Sequence, residues 1–158
     1  MSFINYIPEV QRHSFLFSNG KFSLSKFIEL DKKYFPLPWS QEDWIGLEGK
    51  DYRLFHIMLR KKMVGFSLFR IDSYNYLSHL CKIIINPSNR GRGFGKFLLE
   101  ESLNMLKSEG IHKVYLEVSV ENIWALNMYH DCGLEIQHKK DNYFENGAYI
   151  VSNYHFGV

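Results

Sequence analysis

Two periods of apolar repetition run along this chain, and the elements are read from where one replaces the other. YRLFHIML (52–59) and MVGFSLFRI (63–71) alternate or run apolar on either side of the basic stretch Arg60-Lys61-Lys62, which predicts a β-hairpin. YLSHLCKIII (76–85) predicts a third strand, ended by Asn86-Pro87. After the glycines of RGRGFGKF (90–97) the period becomes 3.6. Leu99, Leu103 and Leu106 share a face with Leu98 and Met105 beside it, Glu100, Glu101, Asn104 and Lys107 take the other, and Gly110 stops the helix. KVYLEVSV (113–120) returns to a period of two, with Val114, Leu116, Val118 and Val120 on one side and Tyr115, Glu117 and Ser119 on the other. A short helix from about Asn122 to Asp131 ends at Gly133, and two last strands flank Glu145-Asn146-Gly147.

Upstream, FSLSKFIELDKKYF (22–35) predicts a helix capped by Ser23 or Ser25, burying Phe27, Ile28, Leu30 and Phe35. PLPWSQEDWIGL (36–47) starts a second one, with Ser40 and Asp43 as an acidic capping box. The order is helices, an antiparallel meander, then strand, glycine loop, helix, strand, helix and hairpin. That is an α/β or α+β sheet with one crossover.

Composition narrows the class. A chain of 158 residues with 46% apolar and 23% charged side chains predicts one globular domain over 1–158, with residues 1–20 or so as an extension without a clear pattern. The net charge of +2 gives no reason to expect nucleic acid or an anionic membrane as partner. Locally the charge is uneven: no carboxylate lies between Asp72 and Glu100, whereas Lys82, Arg90, Arg92 and Lys96 do, which suits a small anionic ligand. Cys81 and Cys132 form no disulfide framework and neither has a neighbouring base in sequence, so both are expected as buried thiols without a covalent role. Seven histidines without metal-ligand spacing predict no metal site. The opening MSFINYIPEVQRHSF has no leader pattern and no run is long enough to span a bilayer, so a soluble cytoplasmic protein is expected.

The glycine loop is the chemical clue. A nucleotide P-loop would need glycine at Arg90 and a hydroxyl at Phe97, and the dinucleotide fingerprint meets Lys96 at its third glycine. Arg92-Gly93-Phe94-Gly95 opens like an RNA-stacking strand, but the residues after it carry a helical stripe. There remains a loop that ends a strand and opens a helix, where unpaired amides and the helix dipole favour an anion such as a pyrophosphate and glycines let it approach. A plain turn with solvated basic side chains is the alternative.

Arg90-x-x-Gly93-x-Gly95 resembles the R/Q-x-x-G-x-G/A signature of the GCN5-related N-acetyltransferases (GNAT). LEVSVENIWALNMYHDCGL (116–134) is similar to the second half of that family's pattern, with Leu116, Val118, Asn122, Ala125, Tyr129 and Gly133 in place and Leu134 where Phe is usual. Glu117, Tyr129, KKDNYF and FPLPWS together resemble the RimI-like, ribosomal-protein alanine N-acetyltransferase branch, from about residue 22 onward. The branch usually has Phe-Pro-Trp where this chain has Phe35-Pro36-Leu37-Pro38-Trp39, on the acceptor side.

The resemblance implies a mainly antiparallel GNAT sheet with helices on both faces and a splayed central strand pair for acetyl-CoA. It implies that Arg90, Gly91, Arg92, Gly93, Phe94, Gly95 and Lys96 hold the pyrophosphate and that Ile83, Ile84 and Ile85 run beside the pantetheine. By the same resemblance Asn122 contacts the coenzyme, Glu117 is the general base, and Tyr129 is the acid for the leaving sulfur. Taken alone, Glu117 is a strand residue on a solvated face, Tyr129 a core aromatic and Asn122 a helix cap; partly apolar walls would raise a carboxylate toward neutrality. An α-amine is easier to deprotonate than lysine by roughly 3 kcal/mol at neutral pH, which fits a single carboxylate. The implied function is acetyl transfer to the N-terminal α-amine of a protein, a ribosomal protein among the candidates. A small-molecule amine, a lysine, or acyl-CoA binding without catalysis are the alternatives.

Overall fold

The structure is a computed structural model describing residues 7–13 and 24–155. The expected hairpin forms: β2 (Tyr52–Leu59) and β3 (Lys62–Asp72) pair antiparallel. Their turn is only Arg60 and Lys61, with φ of 52° and 62°. Positive φ at both central residues is the type I′ geometry whose twist matches the strands, adopted here without the usual Asn or Gly. β4 (Leu77–Ile85) adds antiparallel to β3. β5 (Lys113–Ser119), β6 (Glu135–Lys140) and β7 (Ala148–Ser152) complete a seven-stranded sheet with β1 (Glu9–Arg12), in the order β1-β2-β3-β4-β5-β7-β6. β1 corrects the reading of residues 1–20: Glu9 to Arg12 lie opposite Met58 to Phe55 as an edge strand.

Alternation along the strands builds two cores. Phe55, Ile57, Phe69, Leu80, Val114, Leu116 and Val118 face α3 (Phe94–Ser108) and α4 (Ile123–Asp131). Leu98, Leu99 and Leu106 of α3 are fully buried there, each contributing on the order of 2 kcal/mol. Leu54, Phe66, Leu68 and Ile84 face the other way, against Phe27 of α1 (Ser25–Tyr34) and Trp44 of α2 (Gln41–Ile45). The Ser40–Asp43 capping box forms as expected. α1, by contrast, starts after Leu24 with no side-chain cap; Ser23 lies outside the described residues. Gly110, at φ 85°, ends α3 as predicted, its N–H bonded to the Lys107 carbonyl and that of Ile111 to Leu106.

Two irregularities place the site. In the β3–β4 ladder Leu68 lies opposite Lys82 but Phe69 opposite Leu80, so Cys81 is an extra residue, a bulge. β4 and β5 are parallel and paired at Leu77–Lys113, Ser78–Val114 and His79–Tyr115. Beyond that point β4 continues to Ile85 and β5 to Ser119 without joining, which gives the splayed central pair. The β6–β7 connection, read as a tight Asn-Gly turn, is a longer loop over residues 141–147 with Gly147 at φ 92°. No helix among the described residues is long and apolar enough to cross a membrane.

Candidate active site

The glycine loop opens α3 as the sequence indicates. Gly91 and Gly93 have φ of 76° and 82°, and a Cβ built on either meets nothing within 4 Å, so the space over the loop is open to a ligand rather than filled by the protein. The first N–H at the start of α3 with an intrahelical partner is that of Phe97, bonded to the Gly93 carbonyl at 3.1 Å. The N–H groups of Phe94, Gly95 and Lys96 thus precede the ladder, the arrangement that receives an anion. Gly95 has a different task, since a Cβ there would come 3.0 Å from Met128 Sδ of α4. Phe94 sends its ring into the core. These features fit the diphosphate of a coenzyme.

The basic side chains are not equivalent. Arg90 Nε donates to the Ile85 carbonyl at 2.9 Å and so ties the loop to the end of β4. Arg92 lies 5.0 Å over the Phe94 ring, and Lys96 pairs with Glu100 at 3.8 Å. Lys82 is a correction to the expected basic field. It is buried, and its ammonium is 2.8 Å from Asp31 of α1 and 4.0 Å over the Phe35 ring. Its charge is spent inside the protein.

Ile83, Ile84 and Ile85 pair with Ser67, Phe66 and Gly65 of β3. Ile84 and Ile85 are buried, and what the splayed edge of β4 offers a ligand is backbone. Asn122 caps α4, accepting from the Ala125 N–H at 3.1 Å. Tyr129 lies on α4 at 6% exposure, and burial holds its phenol far above the usual range, with the Cys132 thiol adding to it.

Glu117 is where structure and sequence expectation part. Its Oε2 lies 2.6 Å from His79 Nε2, across the first step of the splay. Burial acts to raise the carboxyl, but the His79 bond and charge, with Lys140 behind them, outweigh it, so Glu117 sits below the ordinary carboxylate range rather than raised toward neutrality. His79 responds in the opposite sense: burial would lower it, yet its bonds to Cys81 and Glu117 bring it up to about 9. The imidazole stacks on Tyr115 with ring centroids 4.5 Å apart and planes 9° from parallel. Its Nδ1 faces Cys81 Sγ at 3.8 Å.

His79 and Cys81 were not singled out from the sequence as site residues. The available signal was their i, i+2 spacing on one strand, which shares a face. Further residues gather around them: a hydrogen bond to Tyr115 raises Arg70, and burial together with the acidic groups Glu117, Cys81 and Tyr115 raises the phenol of Tyr143 in the 141–147 loop. Among the described residues no cluster could hold a metal ion.

The model of the acetyltransferase (GNAT) family matches residues 23–134. The chain is 34% identical over 94 residues to spermidine N(1)-acetyltransferase from Vibrio cholerae, a match spanning 57% of this chain and 53%, about half, of that enzyme's length. It is 24% identical over 116 residues to the [ribosomal protein bS18]-alanine N-acetyltransferase from Salmonella typhimurium, covering 73% of this chain and 77% of that one. Among solved structures it is similar to the ribosomal-protein-S18-alanine N-acetyltransferase from Escherichia coli, with a TM-score of 0.80, 20% identity, and 92% of each chain covered.

Proposed function

The chain belongs to the GNAT family of acetyl-CoA-dependent N-acetyltransferases, and from that premise we propose that its acceptor is the N-terminal α-amine of a protein or peptide. In this reading the amides of residues 91–96 bind the diphosphate and the free edge of β4 at Ile83–Ile85 orients the pantetheine. Acetyl-CoA supplies the activated acyl group. The amine's proton leaves to the Glu117 carboxylate, which the His79 imidazolium orients, and Tyr129, which burial keeps protonated across the working range, supplies the proton to the departing sulfur.

The observation that carries the acceptor class is the charge around Glu117. That carboxylate is matched by His79 at 2.6 Å and feels Lys140, and Arg70 is bonded to the neighbouring Tyr115. A polycation such as spermidine, acceptor of one relative, is recognised by several carboxylates; like charges facing it across an interface cost several kcal/mol. A peptide brings one amine, with a pKa of about 8, and uncharged backbone that aromatic side chains can cover.

Steady-state kinetics test the reading, comparing a peptide beginning with Ala, the same peptide with a blocked N-terminus, a lysine side chain in a blocked peptide, and spermidine. A kcat/KM for the free α-amine at least tenfold above the others is expected. A preference for spermidine or lysine would overturn it.

A further inference from the structure

Four strands bring one side chain each into a single row. Tyr52 of β2 lies opposite Arg70 of β3, Arg70 opposite His79 of β4, and His79 opposite Tyr115 of β5. Phe69 and Leu80, the neighbours of Arg70 and His79 in the ladder, belong to the core under α3, so the row looks out on the other side of the sheet, where α1 and α2 lie. Glu117 follows Tyr115 on that side by alternation. Trp39 stands at the near end of the row, its ring 6.0 Å from that of Tyr52.

Within this row Arg70 is the charge without a counterpart. It is exposed, the Tyr115 side chain holds its guanidinium, and the other groups that act on it are Cys81 and Tyr52, with no carboxylate among them. A guanidinium has five N–H donors, and one phenol oxygen engages only part of them. The nearby carboxylates are committed elsewhere: Glu117 to His79 at 2.6 Å, and Asp43 to the Ser40 N–H at 3.0 Å and hydroxyl at 2.8 Å. Glu135, opposite Ser152, stands two strands beyond Tyr115. His79 and Lys140 add further positive charge beside Glu117.

Spacing links this cation to the reacting amine. Tyr115 and Glu117 are two residues apart on β5, about 6.5 Å along the strand, and an extended peptide whose amine meets Glu117 advances by the same about 6.5 Å at its third residue. Its second and third side chains can therefore reach a guanidinium anchored on Tyr115.

We propose that Arg70 is a specificity-determining residue, binding an acidic side chain at the second or third position of the peptide whose N-terminal amine meets Glu117. The inference deepens the α-amine reading and rests on it. A carboxylate at that place accepts two parallel N–H bonds from the planar guanidinium and offsets the positive charge of His79 and Lys140. A basic side chain there meets like charge instead.

Steady-state kinetics on Ala-Glu-Glu, Ala-Gln-Gln and Ala-Arg-Arg peptides with one shared uncharged tail test the proposal. The parent's kcat/KM for Ala-Glu-Glu should exceed that for Ala-Gln-Gln by about fivefold or more, the reach of a bidentate pair at an exposed site, with the gain in KM and with Ala-Arg-Arg the poorest. Salt at about 1 M, where the screening length is about 3 Å, should remove most of that advantage. Arg70→Gln should bring the two values close together, and Arg70→Glu should reverse the order so that Ala-Arg-Arg becomes the best of the three. Arg70 also holds Tyr115, so both variants lose absolute rate; the ratio between peptides within one variant decides, and lost packing alone does not reverse it. Should Arg70→Glu fail to fold, Arg70→Gln and the salt series on the parent carry the test.

A parent ratio under about fivefold, or an acidic preference that Arg70→Gln retains, would overturn the proposal while the α-amine function stands. If no free N-terminus is acetylated while spermidine or a lysine side chain is, the function falls and this proposal with it.

Discussion

Asp31 of α1 and Lys82 of β4 form an ion pair at 2.8 Å with both residues almost fully excluded from water, at 0% and 2% exposure. The other Asp31 oxygen accepts from the Trp39 N–H at 2.9 Å and the Trp44 indole N–H at 3.0 Å. One carboxylate therefore fastens α1, the Phe35–Trp39 segment and α2 to β4, the strand proposed to orient the pantetheine. Burial lowers the Lys82 ammonium from its usual range, and Asp31 opposes that shift.

Removing one partner leaves a buried charge without its counterpart, which costs roughly 3–5 kcal/mol. Lys82→Met should lower the midpoint of thermal unfolding by on the order of 10 °C for a chain of this length, measured by calorimetry. Adding Asp31→Leu should recover only part of the loss, because the Trp39 and Trp44 donors then lack an acceptor. A Lys82→Met protein as stable as the parent would show that the pair holds nothing in place.

Gly93→Ala separates folding from ligand binding. At φ 82° an alanine costs about 1–2 kcal/mol of backbone strain, yet its methyl group meets no protein atom within 4 Å. Unfolding should shift by a few degrees only, while the Kd for coenzyme A in titration calorimetry should rise at least tenfold if, as proposed, the diphosphate occupies the open space over Gly93. Gly46, at φ −68° and with nothing within 4 Å of an added Cβ, is the control: Gly46→Ala should change neither quantity.

The His79–Glu117 pair also predicts the pH dependence of stability. His79 is raised in the folded state from 6.5 to about 9, so its contribution is complete below pH 6.5 and is lost as pH rises through about 9. Glu117 is lowered from 4.5, so its contribution is complete above pH 4.5 and is lost on acidification through its lowered value. The pair thus contributes most between about pH 4.5 and 6.5. Stability should fall by on the order of 2 kcal/mol between pH 6.5 and 9, and His79→Gln should flatten that limb in urea titrations at fixed ionic strength. An alkaline limb unchanged in His79→Gln would refute the pairing.

How much of this was legible in the sequence depends on the range of the interaction. The face of α3 and the burial of Val114, Leu116 and Val118 follow from periods of 3.6 and two, which are local. The Gly91–Gly93–Gly95 loop was legible because positive φ and an open helix start leave a signature in residue type. The bulge at Cys81 was not, because one extra residue is defined only by the register of β3 against β4. Asp31 reads as a polar residue on an amphipathic helix until Lys82, 51 positions away in sequence, is placed against it. The sign of the Glu117 shift failed for the same reason: the expectation included the apolar walls and lacked His79, which reaches it across 38 positions.

Glu117→Gln and Tyr129→Phe test the two ends of proton transfer and should differ in their pH profiles. Gln keeps the shape of Glu117 but leaves the imidazole without its carboxylate, so His79 should fall from its raised value while the Cys81 contact remains, and kcat/KM for the peptide should drop about 10²- to 10⁴-fold, the usual worth of a positioned proton-transfer group. Its pH profile should move as well, because the raised titration of His79 depends partly on Glu117. Phe in place of Tyr129 removes only a phenol that burial keeps protonated, so kcat should fall with the midpoint of the profile unmoved below about pH 9. Measuring kcat/KM from about pH 6 to 9.5 for the parent and both variants separates the roles. A Tyr129→Phe enzyme at parental speed would reduce Tyr129 to a core aromatic, and a Glu117→Gln enzyme with the parent's profile would remove the carboxylate from the reaction.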